Sequence, residues 1–493
     1  MDYLDPIKKQ SKRKKLLIMY ALMGVAIAIA TLVMVYLVNG YSIGNDGAVI
    51  QNGLLYIDSR PESAEVFLNG EKQRGRTDAR LVVPEGSYAV DLKRDGYRTW
   101  SRSMVLEGGS LRRLTYARLV PETLASEPLA TLPSEPQMVS QSIDKRWLVM
   151  SFDASPLILQ YIDLNRAVPQ LERITLPVGT ISTTTPGKWR AIDWADDNKT
   201  LLAVFETEST RDFVLIDREK PENSKNISKA FNTTAFTDVE LRNRKKDQLY
   251  LYNEATAVLL TADINNGTTS LILDEVLAYV AFGDDAVLYI TDDDKVDDLV
   301  EAYLVKDNDT YKLRSIKKDT KYLLDMSKLG SALVMGIGSP LENRVIVYND
   351  PIDALKDNEI SDIPVPTTVL RVASPQELVI SADSSVIVAR GAENFASHEF
   401  EADRSYTFKL NGAIDENQEL RWLDGQHILL SIGGLQHIFD FDGSNNYTLV
   451  ASTPFFGTYA DNRIDYLVTL KPADATSAEV QLTRTFLRSV ADR

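Results

Sequence analysis

Residues 16–38, LLIMYALMGVAIAIATLVMVYLV, run for 23 positions without a charged side chain. About 20 apolar residues in an α-helix cross the hydrocarbon core of a bilayer. No helical period gives this run a polar face that would suit it to a soluble domain. Lys8, Lys9, Lys12, Arg13, Lys14 and Lys15 stand directly before it. Cations flanking a spanning helix stay on the cytoplasmic side. The expectation is therefore a basic cytoplasmic tail over 1–15, a transmembrane signal anchor over 16–38, and an extracytoplasmic remainder. Leu16, Leu17, Leu22, Val25, Ile27, Leu32, Val35 and Leu37 are the residues expected to hold the anchor in lipid. Ala28-Ile29-Ala30 has the small-x-small look of a signal-peptide cleavage site, but the apolar run continues through Val38. That exceeds a signal-peptide core of about 7–15 residues, and an uncleaved anchor is the stronger reading. Gly24 and Ala28 have the spacing at which small residues pack two such helices, which leaves assembly open.

The 493 residues argue for more than one domain, and they contain no cysteine. Disulfides, thiolate metal sites and cysteine nucleophiles are excluded. An exported body of this size without a disulfide points to a bacterial cell, and it must hold together by core burial. Net charge is −16. Six cations against two carboxylates give the first fifteen residues +4, so the rest carries −20. An acidic exterior repels phosphate backbones, and no nucleic-acid partner is expected.

A linker rich in Gly, Asn and Ser is expected over 39–53. Beyond it, apolar and polar residues alternate in short strands. Leu54–Ile57 is one; Ala64, Val66 and Leu68 mark a second, ending at the hairpin signal Asn69-Gly70. Leu81–Val83 and Ser87–Lys93 follow, and one or two more strands lie between Met104 and Leu119. Pro61 presets a turn, and Gly70, Gly86 and Gly96 supply turn conformations. Val66, Leu68, Val90 and Leu92 are the expected core. Tyr56 to Gly70, Gly75-Arg76-Thr77, Val83 to Val90 and Lys93 to Tyr97, taken in that order, resemble the PEGA domain over 54–119. Ser63 stands where that family usually has Gly, and Asp78 where a Pro often follows the Thr. The resemblance implies a compact β-sandwich acting as a spacer or binding module, with no catalytic residues.

Residues 120–136 hold four prolines and are expected to be a linker or extended arm. From 137 to 493 one unit recurs: a polar turn, an apolar strand, a loop, and a second alternating strand. The turns begin at Asp144, Asp196, Asp247, Asp284, Gly330, Asp383, Asp424 and Asp461. Their spacing of 37–53 residues is that of propeller blades. Trp194 and Trp422, each followed by a polar turn and a strand, carry the clearest copies. The body resembles a WD40-like or TolB-like β-propeller of seven or eight blades; a pair of sandwiches is the competing fold. The expected class is all-β after one helix.

Chemistry is sparse. Thr291 to Glu301, with Asp292, Asp293, Asp294, Asp297 and Asp298, is acidic, but Val296 breaks the calcium-loop spacing. Asp440, Asp442 and Gly443 are more simply a hairpin turn than a calcium loop. The three histidines are His398, His427 and His437, and hydrogen-bonded packing is the better reading for the pair ten apart. No nucleophile elbow or phosphate-cradling loop occurs. Trp147, Trp189, Trp194 and Trp422 read as blade core rather than a sugar platform. No catalytic residue, cofactor or metal is expected. The expected role is non-enzymatic binding or scaffolding in the bacterial envelope, with a protein or wall polymer as partner. A propeller enzyme acting on wall glycans, testable at Asp193, Asp238 and His427, is the alternative. A sensor working through a membrane partner is a third reading.

Overall fold

The computed structural model describes residues 6–492 apart from 39, 44–48, 154, 167, 184, 234, 293–297, 358–362, 416–417, 452, 454–455 and 472–478. It forms two compact units, 1–123 and 124–493. The first opens with one helix, Pro6–Val38. Its segment Lys12–Tyr36 has a mean hydropathy of 2.5 and is long enough to cross a membrane or to act as a signal sequence. Leu16, Leu17, Leu22, Val25, Ile27, Leu32 and Val35 are all exposed among the described residues. Lys12, Arg13, Lys14 and Lys15 continue the same helix and are exposed; Lys8 and Lys9 lie in its first turns. The side chain of Leu37 lies outside the described residues.

The rest of this unit is a sandwich of two four-stranded sheets. One holds Tyr41–Ile43, Val49–Arg60 and Ala79–Pro84, with Leu111–Arg118 parallel to Val49–Arg60. The other is Glu71–Arg76, Glu65–Leu68, Gly86–Lys93 and Trp100–Leu106 in that order. Alternation places Val66, Leu68, Val90 and Leu92 inward with Leu55, Ile57 and Trp100. The expected linker is partly strand: Tyr41–Ile43 pairs back onto Val49–Gln51. Polar composition concealed this, because main-chain pairing does not require apolar side chains.

Two turns of the sandwich follow from local chemistry. Asn69 and Gly70 both take positive φ, 49° and 83°, which gives the two-residue loop a twist matching its strands. Ser63 is also left-handed, at φ 65°. Its turn is held by the buried Thr77 hydroxyl, which accepts from Ala64 N at 3.0 Å and lies 2.6 Å from Ser59 Oγ.

The second unit is a ring of eight four-stranded antiparallel sheets among the described residues. All eight expected turns fall between the first and second strands of successive blades, which settles the count at eight. Seven blades are contiguous in sequence. The eighth is built from Tyr459–Ala460, Tyr466–Lys471 and Val480–Phe486, and its fourth strand is Ser126–Leu132. The proline-rich stretch expected as linker or arm thus supplies the closing strand. Pro128 and Pro133 do not forbid this, because an outermost strand leaves part of its ladder unpaired.

Second strands are buried on both faces, so they read as continuous apolar runs. In Thr200–Glu206, Leu201, Ala203 and Phe205 pack toward the first blade, against Val149 and Leu159. Leu202 and Val204 pack toward the third, against Val239, Leu249 and Leu251. The aspartates of the preceding turns accept main-chain N–H groups. Asp197 Oδ1 takes Lys199 N and Thr200 N, and Asp461 Oδ1 takes Asp465 N and Tyr466 N, all within 3.0 Å. Neighbouring turns also join: Asn198 Oδ1 accepts Asp144 N at 3.0 Å, and Gln426 Nε2 donates to Asp383 Oδ2 at 2.9 Å.

Two outcomes are expected. Ser63→Gly relieves a left-handed serine and raises stability by about 0.5–1 kcal/mol, read as an upward shift in the melting temperature of the sandwich. Leu132→Ala empties a fully buried site where the closing strand meets the ring and costs about 2–5 kcal/mol. Glu127→Ala, on the same strand, removes a surface pair with Arg484 and costs under about 1 kcal/mol. Urea denaturation distinguishes them.

Candidate functional site in the propeller axis

The first strands of neighbouring blades approach one another around the axis. Their polar side chains are therefore brought together although they are far apart in sequence. Lys188–Trp194, Asp238–Leu241, Val276–Phe282 and Leu323–Leu329 form one arc. It carries Asp193, Asp238, Glu240, Tyr279 and Asp325. Alternation along a strand puts Asp238 and Glu240 on one side.

These groups perturb one another. Burial first, then the charges of Asp238 and Asp193, pushes Glu240 up to about 8. Burial and the same carboxylates hold Tyr279 well above the ordinary phenol range; its hydroxyl donates to Asp238 Oδ2 at 3.4 Å. Asp193 is raised by burial, opposed by Arg244, whose Nε is 4.0 Å from Asp193 Oδ2. Burial raises Asp325 to about 6, against the pull of Ile380 N on Oδ2 at 2.7 Å and Met326 N on Oδ1 at 2.8 Å. At neutral pH the arc thus holds a protonated Glu240 among other carboxyl groups. Such an arrangement can hold and pass a proton, and it can donate a hydrogen bond.

A second arc, from the seventh, eighth, first and second blades, lines an open cavity of about 350 Å³. Lys145, Gln141, Arg421, Trp422, Tyr459 and Ile192 contribute to its wall. Gln141 Nε2 donates to the Ala460 carbonyl at 2.7 Å, and Lys145 Nζ to the carbonyl of Leu423. The Arg421 guanidinium lies over the Tyr459 ring, 4.7 Å from its centre.

Of the residues singled out in sequence for a glycan-cutting site, the fold brings Asp193 and Asp238 together but not His427. That histidine is buried on the second strand of its blade, with Nδ1 2.7 Å from Asp424 Oδ1 and Nε2 3.3 Å from Asp440 Oδ1. It is not beside His437, which faces Asn446 Oδ1 at 2.8 Å. His398 is buried against Ser405 Oγ at 3.1 Å, and burial lowers its pKa. Asp440 Oδ2 and Asp442 Oδ1 accept from Asn445 and Ser444 in the turn around Gly443. In the other acidic stretch, Asp293, Asp294 and Asp297 lie outside the described residues, and Asp292 pairs with Lys318. No cluster of three metal-ligating side chains occurs among the described residues.

The tryptophans divide. Trp189 and Trp194 are core, with Trp194 Nε1 donating to Ser140 Oγ at 2.9 Å. Trp147 carries the guanidinium of Arg218 at 3.6 Å and that of Arg146 at 4.4 Å from its ring. Trp422 lines the axial cavity. Sequence reasoning missed Glu240, Tyr279 and Asp325. The available signal was a polar residue inside the short strand before each turn, as in Asp238-Val239-Glu240.

The raised pKa of Glu240 fixes a pH dependence. The folded protein holds this proton more tightly than the unfolded chain, so the stabilisation is complete below about 4.5 and lost as pH rises through about 8. Glu240→Gln should be near neutral at pH 5 and more stable than the parent by about 1–2 kcal/mol at pH 9, measured by urea denaturation across that range.

A search of curated proteins by sequence found no match. Similar solved structures include Hsv2 of Kluyveromyces lactis, at 11% identity over 71% of this chain and 98% of that one, with a TM-score of 0.39. The β-propeller domain of Cps50 (Swd1) from Myceliophteria thermophila shows 10% identity over 73% and 99%, with a TM-score of 0.37. A chain of a mitotic checkpoint complex shows 9% identity over 74% and 94%, with a TM-score of 0.34. The propeller assignment rests on the eight sheets themselves. Residues 52–118 match the PEGA domain model, in agreement with the turn and strand pattern read over 54–119.

Proposed function

We propose that this protein is a non-enzymatic binding or scaffold protein of the bacterial cell envelope. The helix over 16–38 anchors it, residues 1–15 remain cytoplasmic, and the remainder is extracytoplasmic. In this reading the PEGA-like module over 54–119 acts as a spacer. The propeller recognises an envelope protein or wall polymer through one face. The observation that carries it is the closed eight-bladed ring, a rigid frame that presents many loops side by side. The apolar, uncovered helix and the absence of cysteine support the address.

The carboxylates of the axial arc favour a second reading, an enzyme acting on wall glycans. Glu240, kept protonated at neutral pH beside the carboxyl of Asp238, is placed as a general acid would be.

Cross-linking in intact cells, followed by purification of the full-length protein, tests the first reading. A stoichiometric envelope protein or a wall polymer whose cross-links map to one propeller face is the expected result. Release of glycan fragments by the purified protein, abolished by Asp238→Asn, would replace binding with catalysis.

A further inference from the structure

The lining of the cavity between the seventh, eighth, first and second blades contrasts with the acidic composition of the chain. None of the residues lining it is acidic, in a chain whose net charge is −16. Two of its residues are the cations Lys145 and Arg421. Lys145 is held by the Leu423 carbonyl, which fixes its ammonium at the wall. Arg421 lies over the Tyr459 ring, and among the described residues no carboxylate pairs with it. Two other buried or half-buried arginines of the propeller are paired: Arg314 with Glu342 at 2.7 Å, and Arg390 with Glu377 at 2.7 Å.

A guanidinium held over an aromatic ring stays charged and offers N–H donors that match a planar, two-oxygen acceptor. Ile192, Leu429 and the rings of Trp422 and Tyr459 add apolar wall. A volume of about 350 Å³ suits a small organic body rather than a bare ion.

We infer that this cavity binds a small organic acid, with its carboxylate on Arg421 and its body against Trp422 and Tyr459. The acid is either a free molecule or an acidic unit of a polymer, and the carboxylate chemistry is common to both. The inference takes the binding reading from a propeller face to a defined pocket, and the two can fail separately.

The test is intrinsic tryptophan fluorescence and thermal shift of the full-length protein in detergent. The probes are D-glucuronate, N-acetylmuramate and benzoate, each beside its neutral counterpart, D-glucose, N-acetylglucosamine or benzyl alcohol. Inorganic phosphate at matched ionic strength and an oligomeric glucuronan complete the set. At least one acid should bind saturably, at least tenfold more tightly than its neutral counterpart and than phosphate. Arg421→Gln should weaken it tenfold or more, with Arg421→Lys intermediate. Ala191→Leu, which narrows the cavity from another blade, should weaken it without touching the cation. Tighter binding of the oligomer than of the monomer would identify a polymer unit; the reverse would identify a free acid. Binding of none of the acids, phosphate binding equally well, or binding unchanged by both Arg421→Gln and Ala191→Leu overturns the inference. If no acid binds while the chain still captures an envelope partner, the pocket reading falls and the binding reading stands.

Discussion

Strand Val480–Phe486 pairs with Ser126–Leu132, and this one ladder joins the two ends of the propeller body. Every blade has two apolar faces, so an open ring would leave two of them in water. Closure buries Leu132 and Leu482 between the last blade and Leu148, Met150 and Ile162 of the first. The remaining inter-blade cores and the geometry of the axis depend on that closure, because the ring positions each first strand only relative to its neighbours. The sandwich of the first unit needs no such long-range step. Its strands are mostly joined by short turns, apart from the parallel pairing of Val49–Arg60 with Leu111–Arg118.

The aspartates that recur before the second strands serve this frame. In one turn after another a carboxylate takes the N–H groups of the residues two to five positions on, as Asp383 does for Ser385 and Asp424 for Gln426 and His427. This is the common reason for an Asp at a tight polar turn. Part of the acidity of the chain is therefore structural. His427, between Asp424 and Asp440, belongs to the same frame.

What the frame leaves over is concentrated at the axis, and it is polarised. Asp193, Asp238 and Glu240 lie on the second and third blades, with Tyr279 on the fourth. Lys145 and Arg421 lie on the first and seventh, at a cavity without acids. Asp193 is partly exposed, while protein still crowds it enough to raise its pKa. An axis lined in this way can orient a ligand that is not itself symmetric.

The sequence by itself determined what local rules govern. The charge-free run 16–38 makes an apolar helix whatever follows it. Alternation and Asn69-Gly70 make the sandwich hairpin. The spacing of the polar turns gives the blades, one by one. The core positions Val66, Leu68, Val90 and Leu92, and the burial of Trp189 and Trp194, were equally legible, because periodicity reports which face is dry. Only the tertiary structure decided the number of blades, since the eighth borrows a strand from 126–132 and no local signal links that strand to residues 480–486. It alone also decided the axial site. Glu240 and Tyr279 are 39 positions apart, and Arg421 meets Lys145 only because the ring closes. Side chains that converge from separate blades carry no shared period in the sequence, so their chemistry becomes visible once the blades stand around one axis.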